Sequence, residues 1–548
     1  MKLSTIVVFL LLLIAVGPIQ GKRDQARALE HDVRTFGAKG DGRTLDTDAI
    51  NKAIGAAAAA GGGTVHFSAG KYLSFSIRLK SNITLYLDHG ATIVAADPKK
   101  AGSYDLPEPN EWDMYQDFGH SHWKNSLIWG IGLENVAIIG PGLIDGRGLT
   151  RRSPRPRRPV QSGDTPVSLG GGQSAARIHS PLGEDDDPAV MNGLGNKAIS
   201  LKLCRNVLLR DISILNGGHF ALLATGVDNL TIDNVKVDTN RDGFDIDSCR
   251  NVRISNCSVN SPNDDAIVLK SSYALGFARA TENVTITNCL VSGYDIGSLL
   301  DGTYKRNVKE APDRDGPTGR IKFGTESNGG FKNITISNIV FDHCRGLALE
   351  TVDGGILEDI TISNITMRDI VNSPIFLRLG SRMRGPKGTP VGKLRRVHIN
   401  NLVAHNVEPR FASIISGIPG HRIEDLKLSN IRIIYKGGGT LAQAAVTPPE
   451  KESSYPEPSM FGDIPAYGFF VRHADGIEFS NVEIGYAKED LRPAFVLRDT
   501  NGADFFNVDA QVSKGASVFQ LQNVVDFSAT HCKGVKDTKL ERVERMKL

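Results

Sequence analysis

The chain is short of cysteine, of net charge and, beyond its first residues, of long apolar runs, and each shortage removes a class of answers. Six cysteines in 548 residues (Cys204, Cys249, Cys257, Cys289, Cys344, Cys532) do not make a disulfide scaffold. Their spacing resembles no zinc site. They are expected as buried small hydrophobes rather than as a disulfide, although Cys257 and Cys289 fall where adjacent turns would bring them together. A formal net charge of +3 gives no ground for nucleic-acid or membrane binding, and none for an acidic partner either. Blocks of leucine at helical spacing are few, which argues against a helical bundle.

The one apolar run, Ile6 to Val16 after Lys2, is too short to span a bilayer alone. It has the make-up of a secretory leader over residues 1–21, with cleavage somewhere in 21–28. No cysteine sits just after it, so no bacterial lipid anchor is expected. Export to the periplasm or the cell exterior, as a soluble monomer without membrane or nucleic-acid partners, is the expectation.

What the sequence does contain is a repeat. An apolar-x-apolar-x-Asn pattern recurs from Leu230 to Asn234, Val252 to Asn256, Val284 to Asn288, Ile334 to Asn338, Ile360 to Asn364, Val397 to Asn401, Leu426 to Asn430 and Ile477 to Asn481. Alternation of period two marks half-buried strands. Repeats of strand-only units at these intervals predict an all-β solenoid, a parallel β-helix. The recurring Asn suits a stacked bend, since it tolerates left-handed backbone angles and can bond to its copies on neighbouring coils. A β-sandwich would leave the register of the pentads unexplained. Solenoids grow in one direction, so residues 30–540 can form a single domain.

The first coils need an end cap, because a β-helix leaves raw strand edges. Asp46-Thr47-Asp48 followed by Ala49, Ile50, Ala53, Ile54 and Ala57 reads as a short capped helix doing that work. The stretch 149–196 breaks the rhythm. It is rich in Pro, Gly and Ser, with an arginine run (Arg151, Arg152, Arg155, Arg157, Arg158) and an acidic run (Glu184 to Asp187), and is expected to be a flexible insertion. Two more insertions, between Gly293 and Ile334 and between Tyr435 and Tyr467, are long enough to build walls of a cleft. Arg542 to Lys547 are expected as a frayed tail or a closing cap.

Chemistry concentrates in Asn240 to Ser272. Asp242 and Asp264 lie 22 residues apart and Asp265 follows directly. One coil of that length would stack the two acids on backbones about 4.8 Å apart. Like charges so close resist joint ionisation, which leaves one acid protonated beside ionised neighbours. That is the equipment for cutting a glycosidic bond. A lone Asp in such a turn more often caps a bend, and Asp245 and Asp247 fit either role.

These residues carry a resemblance. The chain resembles the glycoside hydrolase family that contains polygalacturonases and rhamnogalacturonan hydrolases, from about Asp32 to Asn430. Phe36-Gly37-Ala38-Lys39-Gly40-Asp41-Gly42 and Ile139 to Gly148 are similar to its leading coils. Asn240-Arg241-Asp242, Asp264-Asp265 and Arg320-Ile321-Lys322 match its motifs in order. Where the family has Gly-His-Gly, this chain has Gly293-Tyr294-Asp295-Ile296-Gly297-Ser298, and Arg241 replaces the commoner Thr.

The resemblance implies a right-handed parallel β-helix and an inverting, metal-independent hydrolase of pectic poly- or oligosaccharides, with no cofactor. It assigns Asp264 as general acid and Asp242 and Asp265 as holders of the attacking water, with carboxyls roughly 6.5 to 9.5 Å apart. Arg320 and Lys322 would meet a uronate carboxylate. Asn240, Lys270, Tyr294 and Arg378 are further candidates for substrate contact, with Arg382 and Arg384 beside the last. His219 and His343 are candidates to replace the missing histidine. Two other classes fit the same fold: a lyase, which would use Ca²⁺, and a sugar-binding module or adhesin without turnover.

Overall fold

The computed structural model describes residues 30–100, 102–116, 118–150, 191–312 and 315–548. The leader at 1–21 and the greater part of the insertion at 149–196, its arginine and acidic runs included, lie outside the described residues.

The period-two alternation does form strands, and the strands coil. Leu230 pairs with Val252, Val252 with Val284, Val284 with Ile334, Ile334 with Ile360, Ile360 with Val397, Val397 with Leu426 and Leu426 with Ile477, each pair parallel. The repeated pentads are therefore one column of a right-handed parallel β-helix. Their apolar members point inward and join a single continuous core running from Val33 to Val543. Stacking is what buries them, because no single coil could cover its own apolar side.

The Asn positions mark the bends. Asn234, Asn256, Asn288, Asn338, Asn364, Asn401, Asn430 and Asn481 all hold φ between 52° and 57°, the left-handed region Asn tolerates. Within this column Asn288 donates to Asn256, Asn338 to Asn288, Asn364 to Asn338 and Asn401 to Asn364, at 3.0–3.3 Å. A second ladder, which the pentad does not reveal, links Asn135, Asn206, Asn229, Asn251, Asn283 and Asn333 at 2.7–3.3 Å.

Both ends are closed. The helix Thr47–Ala59 buries Ala49, Ile50, Ala53, Ile54 and Ala57 over the first coils. Asp46 stands at its N-cap position but makes no cap bond. Its carboxylate instead accepts the backbone N–H groups of Lys39 and Gly40, at 2.6 and 3.0 Å, pinning the preceding turn. At the other end Thr538–Lys547 pairs antiparallel with Phe519–Thr530, so Arg542 to Lys547 close the stack rather than fray. All six cysteines are buried and free. No helix among the described residues is long and apolar enough to cross a membrane.

Candidate active site

One flank of the coil is built by Asp242–Asp247, Ile267–Ser271, Ile321–Ser327, Leu347–Thr351 and Ile375–Leu379, each parallel to the next. Phe244, Ile246, Ile267, Leu269, Ile321 and Phe323 face the core. Alternation then obliges the residues between and beside them to face outward, and apart from Val268 those nearest the trio are acids and bases. Asp245 follows Asp242 on its strand, Lys270 lies on the next coil, and Lys322 and Glu326 on the one after.

The trio meets. One carboxylate oxygen each from Asp242, Asp264 and Asp265 lies within 4.8 Å of the others. This is tighter than the spacing expected of an inverting pair. The reason is local: the Asp265 N–H donates toward both Asp242 Oδ1 (3.3 Å) and Asp264 Oδ1 (3.1 Å) and draws the two together. Asp242 and Asp265 are each 4% exposed, whereas the Asp264 side chain is 25% exposed. The acid nearest solvent is thus Asp264.

Their electrostatics diverge. Burial, and then the Asp264 charge, push Asp242 well above the usual carboxylate range. Burial pushes Asp265 the same way, but Lys322 and Arg320 outweigh it and hold Asp265 down at about 2. Arg320 Nε donates to Asp265 at 2.8 Å and Lys322 Nζ lies 3.4 Å from it. Two neighbouring acids pushed apart in this way can carry one proton between them at neutral pH. Each carboxylate cluster already holds a side-chain cation: Arg241 on Asp264, Arg320 and Lys322 on Asp265, Lys270 on Asp245.

The insertion after Tyr435 closes the site from above. Tyr455 and Glu457 join Arg241, Arg320, Lys322 and Arg345 around the acids, and the slot they enclose is about 60 Å³. That is room for about two waters, at roughly 30 Å³ each, and well short of the roughly 300 Å³ at which ligand pockets begin. Any ligand larger than that can only lie across the mouth at Asp264.

Comparison with known proteins bears on what such a site does. The family model for Glycosyl hydrolases family 28 matches residues 191–454, a span that includes every residue of the trio and of Arg320-Ile321-Lys322. A second, Rhamnogalacturonase A/epimerase, pectate lyase-like, matches residues 31–107. A probable polygalacturonase of Vitis vinifera is 24% identical over 74% of this chain and 74% of its own. An exo-poly-alpha-D-galacturonosidase of Dickeya chrysanthemi is 24% identical over 69% of this chain and 71% of its own. Residues 191–454 belong to glycosyl hydrolases family 28. The Yersinia enterocolitica family 28 exopolygalacturonase superposes with a TM-score of 0.61 over 88% of this chain and 79% of that one; at 18% identity this shows the shared fold.

Within this family 28 enzyme the other candidates are dispersed. Asn240 lines a separate hollow of about 260 Å³ with Arg147 and Asn216. Lys270 is buried beside the trio but faces Asp245 (3.1 Å), Glu326 (3.4 Å) and His120. Two candidates need correction. Tyr294 is buried, bonds to Asp342 and lies under the Arg306 guanidinium, so it packs its own loop and does not line the slot. Arg378 is 1% exposed and donates to Ser416 Oγ and the backbone carbonyls of Gly417, Glu450 and Lys451, tying down the insertion instead of facing sugar. Arg382 and Arg384 likewise hold Asp353. Asp247 accepts from Ser272, a structural role.

His219 and His343 do not line the slot; His343 stacks on Tyr294. The histidine that does reach the acids is His120, from the loop before Ile128–Ile131. Its Nε2 lies 3.1 Å from Asp245 Oδ2, and a ring nitrogen lies within 4.8 Å of Asp242 and Asp245 oxygens. His120, Arg345, Tyr455 and Glu457 gave no sequence signal. Each stands alone in its segment and reaches the site only through the fold.

Proposed function

We propose that this hydrolase cuts glycosidic bonds in pectic polysaccharides or oligosaccharides by general acid–base catalysis with inversion. The observation that carries the general acid–base reading is the meeting of Asp242, Asp264 and Asp265 above Arg320 and Lys322; inversion rests on the likeness to family 28, since the carboxyls lie closer than the spacing of an inverting pair. The polygalacturonase and exo-poly-alpha-D-galacturonosidase relatives support the substrate class.

Asp264, open to solvent, gives a proton to the departing glycosidic oxygen. Asp242 and Asp265 hold the water, and Asp265, kept ionised by its two cations, takes its proton. The proton taken from the water returns to Asp264 between cycles. The insertion over one side of the trio favours release of short products from a chain end. A leader over residues 1–21 would deliver the enzyme outside the cytoplasm, where such polymers are met.

The test is release of reducing ends from pectic oligosaccharides, with product anomers followed by NMR. Asp264→Asn is expected to lower the rate by about 10² to 10⁴. Full activity in that variant rejects the assignment of Asp264, and retained anomeric configuration rejects inversion.

A further inference from the structure

Arg320, Lys322 and Arg345 form a seat for a carboxylate, and the chain already fills it. Glu457 arrives from the insertion, 137 residues beyond Arg320 in sequence. Both of its oxygens are held by the Arg320 fork, Oε2 at 3.1 Å from Nη1 and Oε1 against Nη2. Arg345 Nη1 lies 3.4 Å from the same carboxylate and Lys322 Nζ 3.9 Å. The bidentate geometry is the one by which arginine receives a planar carboxylate from a ligand.

The bases have little left to offer a second one. The remaining edge of Arg320 is taken by Asp265. Lys322 is shared among Asp265, Glu350 and the Tyr455 hydroxyl, the last at 3.2 Å. A uronate placed here would meet Glu457 at contact distance in a buried setting, where like charges repel most strongly.

Nor is Glu457 loosely held. Phe461, Met460 and Ile464, just downstream, pack against Phe376, Ile414 and Phe470 on the outer face of the coil. Arg378 and Arg472 grip the backbone carbonyls of Pro448, Pro449, Glu450 and Lys451 upstream. Anchored on both sides, the glutamate is a fixed wall of the site.

Building on the hydrolase reading above, we propose that Glu457 is a specificity residue, and that the sugar seated on the Arg320–Lys322 side of the cleaved bond carries no carboxylate. It is a neutral hexose or deoxyhexose, joined to a uronate or another sugar across the bond.

Two sets of oligosaccharides test this, one of galacturonate alone and one alternating galacturonate with a neutral sugar, with products identified by mass. The wild-type enzyme is expected to cut uronate–neutral bonds at least tenfold faster than uronate–uronate bonds. Glu457→Gln is expected to shrink that ratio by tenfold or more. Preference of the wild-type enzyme for uronate–uronate bonds overturns the proposal whether or not the variant folds. So does an unchanged ratio in a folded variant. Absence of turnover on both sets defeats the hydrolase reading instead, and the seat is then judged by calorimetry with galacturonic acid. Binding to Glu457→Gln and not to wild type upholds it, and equal binding to both overturns it.

Discussion

Arg241 Nη2 donates to Asp264 Oδ2 at 2.8 Å, with both side chains only partly exposed. A cation so close to a carboxylate favours its charged form, whereas a general acid must hold its proton until the bond breaks. Arg241 takes the motif position where the family commonly has Thr.

Replacing Arg241 by Thr removes the cation while leaving the trio in place. The alkaline limb of the kcat/KM profile is then expected to move to higher pH, because the proton on the trio is given up later. A profile that keeps its limb while KM alone rises would instead make Arg241 a binding residue. The decisive measurement is a full pH series on the variant and the wild type with one oligosaccharide.

Asp242 predicts a trade of stability against activity. Burial and the Asp264 charge raise its titration well above the ordinary value. A carboxyl raised on folding costs nothing below its unfolded pKa, near 3.9, and costs progressively more as pH climbs toward the folded value. Asp242→Asn keeps an acceptor for the Asp265 N–H but cannot ionise. Its melting temperature is expected to match wild type near pH 4 and to exceed it at pH 7, while activity is lost. Equal melting at both pH values would mean that Asp242 is ionised without penalty.

The asparagine ladders predict a substitution order that contact counting would miss. Asn251 sits at φ 57°, donates to Asn229 at 3.3 Å and accepts from Asn283 at 3.1 Å. Asn251→Ala loses both bonds and places a plain side chain in the left-handed region, together costing about 1 to 3 kcal/mol. Asn251→Gly loses the same bonds but not the backbone fit, so it should cost less. Amide exchange of Arg250–Ser255, followed by mass spectrometry, is expected to quicken most in the alanine variant. Equal exchange in the two variants would remove the backbone term from the account.

These ladders also show what the sequence could and could not convey. The pentads could be read because stacking repeats one local pattern, apolar-x-apolar-x-Asn, on every coil, and register follows from it. The ladder through Asn251 was equally legible, since Asn229, Asn251, Asn283 and Asn333 each stand directly before the apolar pair, but the pentad stops one residue short of them. Asp242, Asp264 and Asp265 were legible for a similar reason, being one coil apart on a single flank. Tyr294 and Arg378 misled because polar residues on an outer flank look open until a distant segment covers them. Glu457 and His120 were invisible because nothing local marks the end of a long excursion that returns to the coil. What repeats can be read from the chain; what closes over the repeat requires the fold.

Phe461 gives the last prediction, since it holds the covering segment in place. It is 1% exposed, packed with Phe376 and overlaid by the Arg378 and Arg472 guanidinium groups at 5.3 and 4.9 Å. Phe461→Ala should remove about 3 to 5 kcal/mol of packing, and the loss should fall on the insertion, whose apolar anchor is a cluster separate from the main core. The coil should then stay folded while 438–467 loosens. Limited proteolysis is expected to nick that segment early, leaving the remainder resistant, and Glu457 should release Arg320. Uronate–uronate bonds should then be cut faster relative to wild type, as in Glu457→Gln. An insertion that stays resistant to protease with Phe461 removed would show that the arginine grips on its carbonyls suffice alone.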